Sequence, residues 1–515
     1  MTSFAMSTSQ RGLWFAQQLT PDVPFTIAQY LDLHGPLDAD LIRAACNQAA
    51  REVESGTLFL ELVDGEPRQR VIPDVDDYPG YLDLRGHDNP EAEARRWMDE
   101  TYTRPLDPLR DRLIATTLIQ LADEHFYLFT YIHHLALDGH GGMVMLGRSA
   151  ELYTAWARGE EPPPIRALSL EQIAEHERAY VGSTRQAADR EHWAQRLVDL
   201  PPPVTLAPGS AAPTMPCRHV GAELTAEVTA AVADLAGSAN STDVPIVVAA
   251  FAAYLARMNA ATDVALSLPV SARTTAPLRR SAGSISNIVP LRVRVEPDVT
   301  VADLVRRVQV ELTGALRHQR YRYEDMLRDL HAVGDHRETR SAFGPVVNLM
   351  MFNPEYAYGD ISGEYNLLST GPVDDLSVNV YAGIAGRSVR VDFEANPRLY
   401  GDETLTRHHR RFLDFLGAFA RSAEHAVGDL PLATPDELAG LVPARGPQAE
   451  GGRLLADVLT AHAGSDRVAV RDGTVALTYR ELDERSTVVA RTLIATGAGP
   501  DDRVAVLLPR SAASV

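Results

Sequence analysis

The segment Tyr131–Gly142, YIHHLALDGHGG, constrains the fold of this chain more than any other part of its sequence. An apolar, aromatic run precedes it and a helical pattern over Met143–Arg158 follows it, which predicts a strand, a tight turn and a helix. Because successive side chains of a strand point to opposite faces, His133 and His134 must face opposite sides. We therefore expect one imidazole in the interior and the other in a cleft.

The short turn after the histidines is open to several interpretations. Asp138 and Gly139 are typical turn residues, and an aspartate there would anchor the loop so that one imidazole is held still. A histidine pair satisfied within the core, beside an ordinary turn, is equally compatible with the spacing. A metal site that uses these histidines, Asp138 and His140 is less favoured, because the ligands are bunched and no cysteine or second histidine cluster completes the shell. We expect no metal.

Composition excludes several classes of function. A formal net charge of −20 argues against nucleic acid as the main partner. All 49 basic residues are arginine, which excludes Schiff-base chemistry, a phosphate-loop lysine and any catalytic lysine. The sequence shows neither a bilayer-spanning apolar run nor a signal peptide, and Cys46 and Cys217 are too few for a disulfide framework. We therefore expect a cytoplasmic protein.

Two stretches rich in proline or glycine divide the chain. Three prolines follow shortly after Gly159, and the sequence ARGPQAEGG comes near residue 450. Strand-like and helix-like patterns alternate on both sides of the first stretch, which predicts an α/β (α+β) fold. The expected divisions are two similar halves over residues 1–165 and 166–435, a linker over residues 436–452 and a final segment over residues 453–515.

Five further blocks accompany HHLALDG along the chain. They are STSQRGLWFAQQL (Ser7–Leu19), GSISNIVPLRV (Gly283–Val293), HQRYRYEDML (His318–Leu327), FGPVVNLMMF (Phe343–Phe352) and STGPVDDLSVNV (Ser369–Val380). Together these blocks resemble the condensation domains of nonribosomal peptide synthetases. The last two are especially similar to condensation domains of siderophore synthetases, such as the enterobactin system.

The segment after the second linker has a different pattern of predicted elements. A hairpin is predicted around Asp472-Gly473, and LTYREL (Leu477–Leu482) resembles the start of an adenylation domain. The nucleotide-binding parts of such a domain are absent, so this fragment is expected to be inactive on its own. About sixty residues are also marginal for an independent core.

The resemblance implies a fold and an active site. Two chloramphenicol-acetyltransferase-like lobes would form a V-shaped pseudo-dimer, with a tunnel into which carrier domains deliver phosphopantetheine arms from opposite ends. His134, next to His133, would lie midway along the tunnel. There it would accept the amine proton or orient the amine.

The other implied site residues have supporting roles. Asp138 would be structural and would pair with Arg273. Alternatively, Arg273 would be an ordinary solvated arginine on the surface. Gly139 would let the loop backbone or the pantetheine arm pass closely, or would be a simple turn glycine. Asn348 would bond the tetrahedral oxyanion or the His134 region, or would be an ordinary polar residue at a strand end.

The resemblance also implies a reaction. An initiating condensation domain forms an amide between an acyl thioester on an upstream donor carrier protein, supplied in trans, and the amine of an aminoacyl thioester on a downstream acceptor carrier protein. The siderophore-type blocks imply an aryl donor similar to 2,3-dihydroxybenzoyl. The carriers bring the phosphopantetheine, so no cofactor is expected on this chain, which should be a monomer without nucleic-acid or membrane partners. The alternatives are a stand-alone or coenzyme A-dependent acyltransferase, an epimerisation domain and a non-catalytic recruitment domain of the same fold.

Overall fold

The computed structural model describes residues 3–72, 79–332, 343–350, 356–381, 389–441 and 455–515. The chain divides into two compact units, Met1–Pro435 and Asp436–Val515, and each is considered by itself. The predicted linker over residues 436–452 begins within a short helix, Pro435–Ala439. Its remainder from residue 442 lies outside the described residues.

The described chain contains both strands and helices, in no strict alternation. The strands are β1 Phe4–Ala5, β2 Thr26–His34, β3 Leu58–Val63, β4 Glu66–Val71, β5 Gly80–Asp83, β6 Ile114–Ala122, β7 His125–His133, β8 Arg218–Glu223, β9 Asp263–Val270, β10 Asn287–Arg294, β11 Val346–Met350, β12 Tyr356–Tyr358, β13 Ile361–Thr370, β14 Leu376–Tyr381, β15 Arg390–Ala395, β16 Val468–Asp472 and β17 Val475–Thr478. The helices are α1 Thr8–Leu19, α2 Ala39–Glu52, α3 Pro90–Tyr102, α4 Gly139–Ala157, α5 Leu170–Tyr180, α6 Thr184–Arg196, α7 Ala226–Ala239, α8 Asp243–Met258, α9 Ala276–Arg279, α10 Val301–Arg317, α11 Tyr323–Ala332, α12 Asp402–Ala420, α13 Pro435–Ala439, α14 Leu455–Thr460 and α15 Tyr479–Ala495.

The first six-stranded sheet has the order β12-β13-β2-β7-β6-β5. Strands β2 and β7 pair antiparallel over their whole length, from Thr26 opposite His133 to His34 opposite His125. Strand β7, which leads into residues 134–138 (the histidine loop), therefore lies in the middle of the sheet, where both of its edges are hydrogen-bonded.

Helices cover both faces of this sheet. Leu31 and Leu128 pack in a core cluster with residues of α2 and α4, whereas Tyr30 and Phe129 pack in another cluster with residues of α3. Neighbouring positions of β2 and β7 thus point to opposite cores, which explains why the apolar runs have little polar interruption. Because both faces of the sheet are buried, the direction of β7 is fixed, and so is the position at which the strand ends, at His133.

One strand of this sheet comes from the part of the chain expected to form the second half. Strand β13 pairs antiparallel with β2, from Gly363 opposite Leu33 to Thr370 opposite Ile27. A sequence pattern locates a strand but not its partner, because register and neighbours depend on long-range packing. The bounds 1–165 and 166–435 remain a prediction. Strand β13 lies within the range 166–435 but pairs with a strand of the range 1–165. As a result, Thr370 lies beside the start of β2 and close to the end of β7.

The second six-stranded sheet has the order β10-β9-β11-β14-β15-β8. Helix α8 packs in the same core as this sheet, and every residue from Val244 to Ala256 is buried, as expected for a helix that is apolar all round. Taken singly, none of the described helices has both the length and the hydropathy to cross a membrane, although α7 and α8 meet those criteria as a pair bent by 102°. The loops after β9 and before β10 carry the residues that meet the histidine loop.

The unit Asp436–Val515 contains the hairpin β16–β17 and helix α15. The turn predicted at Asp472-Gly473 is confirmed, and Gly473 has the positive φ of 56° that such a turn requires. Helix α15 begins with a capping box between Thr478 and Glu481. Its apolar residues Val488 and Ile494 are 63% and 68% exposed, as expected for a segment with little core of its own.

Candidate functional site

The segment predicted as strand, turn and helix has that structure, and only the start of the helix differs. Helix α4 begins at Gly139 rather than at Met143, because Asp138 is its N-cap and accepts a hydrogen bond of 2.8 Å from the Gly141 N–H. The prediction that the two histidines face opposite sides is confirmed: His133 is buried, at 1% exposure, and His134 is partly exposed. The loop therefore presents one imidazole and hides the other.

His133 is a structural side chain. Its Nε2 lies 3.1 Å from Oε1 of Gln17, and its Nδ1 accepts a hydrogen bond of 3.1 Å from the Leu135 N–H. These partners assign the proton to Nε2, since Nδ1 acts as the acceptor. Burial, with a smaller effect from His134, lowers the pKa of His133 to about 3, so the ring is neutral and braces the turn from inside.

The burial of neutral His133 should make the stability of the protein fall in mild acid. Its pKa is about 3 when folded, against an ordinary value of 6.5, so the unfolded chain binds the extra proton between these pH values. The free energy of unfolding should decrease below pH 6.5, by up to about 1.4 kcal/mol per pH unit from this group. Urea unfolding of the wild type and His133→Asn at pH 7.5, 6.0 and 5.0 measures the effect. The variant should show the shallower dependence on pH, and parallel curves would contradict the assignment.

His134 is held by the second half of the chain. Its Nε2 lies 3.0 Å from the carbonyl oxygen of Thr370, the last residue of β13. Since a carbonyl only accepts, the proton is on Nε2 and the neutral ring keeps its lone pair on Nδ1. Burial lowers the pKa of His134, against the opposing effects of the Thr370 carbonyl and Asp138, so the ring is uncharged near pH 7. A neutral, oriented imidazole with a free lone pair is suited to accept a proton.

The expected pairing of Asp138 with Arg273 is present. Both side chains are buried, and the guanidinium donates two hydrogen bonds, of 2.8 Å and 2.9 Å, to the two carboxylate oxygens. The backbone N–H groups of Ile285 and Ser286 donate two more, at 2.9 Å and 2.8 Å. Burial alone would raise the pKa of Asp138, but Arg273 and the N–H groups of Gly141 and Ile285 lower it below its usual range. Asp138 therefore joins the histidine loop to the loop before β10.

Of the roles expected for Gly139, a close approach of the loop backbone has no support in the structure. This glycine is exposed at the start of α4, and a Cβ added there would meet no atom within 4 Å, so no close approach of the loop backbone requires it. The glycine that such an approach does require is Gly141, which the sequence interpretation missed. A Cβ at Gly141 would lie 2.8 Å from the Leu137 side chain and 3.1 Å from the Gly283 backbone. Passage of a pantetheine arm beside Gly139 stays a prediction.

Asn348 lies on β11 in the second sheet. Its Nδ2 donates a hydrogen bond of 3.2 Å to Oδ1 of Asn379, the residue opposite it on β14. Among the hydrogen bonds of the described residues, none joins Asn348 to His134. A bond of Asn348 to an oxyanion, or to another part of the His134 region, stays a prediction.

Three residues near His134 were not predicted from the sequence. Thr370 supplies the carbonyl, and its hydroxyl donates a hydrogen bond of 2.6 Å to Oε2 of Glu394, whose pKa is raised by burial. Gly371, with φ of 105°, leaves room for the imidazole, since a Cβ there would lie 3.0 Å from His134 Nε2. The block STGPVDDLSVNV contains Thr370 and Gly371, and it was the only sequence feature that could have pointed to them. Glu394 had no such feature.

Comparisons with known proteins place these features in a family context. Residues 2–442 match the condensation domain family, and residues 459–515 match the AMP-binding enzyme family. The chain is 31% identical over 514 residues to a dimodular nonribosomal peptide synthase of Bacillus subtilis (99% of this chain, 21% of that protein). It is 34% identical over 504 residues to an isonitrile lipopeptide synthase of Streptomyces coeruleorubidus (98% and 34%). It is 28% identical over 519 residues to enterobactin synthase component F of Escherichia coli (98% and 39%).

Solved structures give the same result for the fold. The first condensation domain of the calcium-dependent antibiotic synthetase, in complex with a substrate analogue, matches with a TM-score of 0.77 at 30% identity, over 84% of this chain and 99% of that one. The starter condensation domain of rhizomide synthetase RzmA, as a mutant in complex with C8-CoA, matches with a TM-score of 0.78 at 30% identity, over 84% and 98%. The predicted fold class, two chloramphenicol-acetyltransferase-like lobes with a partial adenylation fragment, is confirmed. The chain spans between about a fifth and two fifths of the three synthetases compared above.

Proposed function

Because this chain belongs to the condensation domain family of nonribosomal peptide synthetases, whose members form amide bonds, we propose that it joins two thioester substrates held by carrier proteins. The acyl group of a donor carrier passes to the amine of an aminoacyl group on an acceptor carrier. One observation carries this proposal: a neutral, partly exposed His134 on a loop fixed by the buried Asp138–Arg273 pair.

The chemistry asks little of the protein beyond positioning and one proton transfer. The amine nitrogen attacks the thioester carbonyl carbon, a C–N bond forms, the C–S bond breaks and the donor arm leaves as a thiol. The amine loses one proton, which His134 accepts or directs towards the leaving sulfur. A thioester is already activated, so alignment of two tethered reactants can supply effective molarities of about 10⁵ M or more. The phosphopantetheine arms belong to the carrier proteins in this proposal.

The donor is proposed to be an aryl group similar to 2,3-dihydroxybenzoyl, in a siderophore-like pathway. Support comes from the similarity to enterobactin synthase component F and to vanchrobactin synthetase VabF of Vibrio anguillarum. A fatty acyl donor is the second candidate, because the RzmA starter domain was solved with C8-CoA and a lipopeptide synthase is 34% identical to this chain. In either case we propose an initiating role, with the donor carrier acting in trans on a monomer. A cytoplasmic location is also proposed, supported by two free cysteines.

A condensation assay read by mass spectrometry tests this function. The chain is mixed with a donor carrier loaded with dihydroxybenzoyl or octanoyl, and with acceptor carriers that hold a panel of amino acids. We expect an amide product on the acceptor, formed faster from the aryl donor. Faster transfer from octanoyl would replace the aryl assignment. Equal use of a free coenzyme A thioester would favour a carrier-independent acyltransferase, and a racemised acceptor without an amide would favour epimerisation. No product from any donor would contradict catalysis and favour recruitment.

Gly371→Ala should impair amide formation through the position of His134. The added methyl would lie 3.0 Å from His134 Nε2, and φ of 105° is strained for alanine. A displaced imidazole is expected to lower the single-turnover rate by up to about 100-fold. Gly209→Ala is the matched control, because Gly209 also has a positive φ of 85° but has open space around its Cβ position. Equal rates for the two variants would contradict the steric argument.

A further inference from the structure

A second cluster of histidines lies at the opposite end of the first sheet from the histidine loop. It consists of Asp32 and His34 on β2 and His125 on β7. Oδ1 of Asp32 lies 3.0 Å from Nε2 of His34 and 2.9 Å from Nε2 of His125. The two imidazoles stack with ring centroids 4.0 Å apart, and the three potential ligand atoms all lie within 4.8 Å of one another.

The register of the sheet brings these side chains together. His34 and His125 are directly opposite each other in the β2–β7 ladder, so their side chains share one face. Asp32 precedes His34 by two residues and therefore lies on the same face. All three positions are fixed by backbone pairing between two central strands of a six-stranded sheet, and so no loop movement is needed to bring them together.

We propose that Asp32, His34 and His125 bind one divalent transition-metal ion of the Zn²⁺ class. Two imidazole nitrogens and one carboxylate oxygen are a ligand set that Zn²⁺ and similar borderline ions use in proteins. Metal–ligand bonds of about 2.0–2.2 Å at tetrahedral angles put ligand atoms about 3.3 Å apart. The separations from Asp32 Oδ1 to the two imidazole nitrogens, 2.9 Å and 3.0 Å, are within about 0.4 Å of this value, and the two nitrogens lie within 4.8 Å of each other.

The surroundings of this cluster favour a cation, and an ion can reach the cluster from solvent. Glu364 on β13 is the register partner of Asp32 on its other side, so it places a second carboxylate on the same face, where it or a water could complete the shell. The side chain of His34 is 67% exposed, which gives an ion direct access. The guanidinium of Arg95, on α3, is engaged by Tyr30, over which it stacks at 4.8 Å from the ring centroid. The chain as a whole carries a net charge of −20.

The ion is expected to link β2 to β7. At about 3.4 Å per residue, the eight residues from His34 to Thr26 separate this site from the histidine loop by about 27 Å. The ion would therefore not meet the substrates. It would stabilise the folded state, because an ion that binds only this state shifts the folding equilibrium by mass action.

Calorimetric titration of the whole, metal-stripped chain with Zn²⁺ tests the proposal. The wild type is expected to bind one more equivalent than the double variant His34→Ala/His125→Ala, and its thermal midpoint should rise with Zn²⁺ concentration. The matched control is His425→Ala, which removes an exposed histidine outside any metal-ligating cluster of the described chain, and it should bind like the wild type.

Two further measurements distinguish loss of the metal site from loss of the fold. Circular dichroism reports whether the double variant is folded, and Asp32→Asn, which keeps the shape of the side chain, should weaken binding without removing either histidine. If the double variant is unfolded, the exposed single change His34→Ala replaces it, with the same expected loss. Equal Zn²⁺ binding by the wild type and these variants would overturn the site, as would a loss of binding in His425→Ala.

Discussion

A His134→Ala variant is expected to stay folded and to form the amide about 10²–10⁴ times more slowly than the wild type, the range typical for loss of a general base. Folding should survive because the ring is partly exposed and makes its side-chain hydrogen bond to one carbonyl, that of Thr370. Single-turnover amide formation with preloaded donor and acceptor carriers measures the effect directly.

Two companion variants define what His134 does. His140→Ala removes a histidine from the first turn of α4, whose Nε2 bonds the Arg279 carbonyl rather than that of Thr370, and the rate of this variant should stay close to that of the wild type. His134→Gln keeps an N–H donor for the Thr370 carbonyl but has no basic nitrogen. Recovery of most of the rate in His134→Gln would indicate that the imidazole positions the amine, whereas a rate as low as that of alanine would indicate proton transfer. Wild-type rates in His134→Ala would remove this residue from the mechanism.

Asp138→Ala should act mainly on stability, with a loss of about 3–5 kcal/mol and a lower soluble yield. The change leaves the Arg273 guanidinium buried without its counter-ion. It also removes the acceptor for the N–H groups of Gly141, Ile285 and Ser286. Urea unfolding of the wild type and the variant measures the loss.

Two controls separate the buried pair from ordinary charge effects. Asp83→Ala breaks an ion pair of similar length, 2.7 Å, but both Asp83 and Arg85 are exposed, so little change is expected. Replacement of both partners, as Asp138→Leu with Arg273→Met, should recover part of the stability, because no buried charge is left unpaired. A soluble, fully stable but inactive Asp138→Ala protein would instead assign this carboxylate a direct part in the reaction.

The local features of the site were predictable because neighbouring residues decide them. Strand geometry requires His133 and His134 to face opposite sides, and an aspartate before glycine at the start of an apolar helix is a capping pattern. The hairpin at Asp472-Gly473 follows from turn chemistry in the same way. The pairing of Asp138 with Arg273 was expected only through the family resemblance. The start of α4 was placed four residues late because the cap was treated as part of the turn.

The sequence by itself determined the loop, its buried and its exposed histidine, and the family to which the blocks belong. The tertiary structure alone decided what surrounds His134: Thr370 is 236 residues away along the chain and reaches the histidine because β13 joins the first sheet. Gly371 lies beside His134 for the same reason, because it follows Thr370 in the chain. Glu394 belongs to β15 in the second sheet and joins the site through its hydrogen bond with the Thr370 hydroxyl. Pairing between distant strands depends on the summed packing of whole sheets, and that sum leaves no signature at any single position of the sequence.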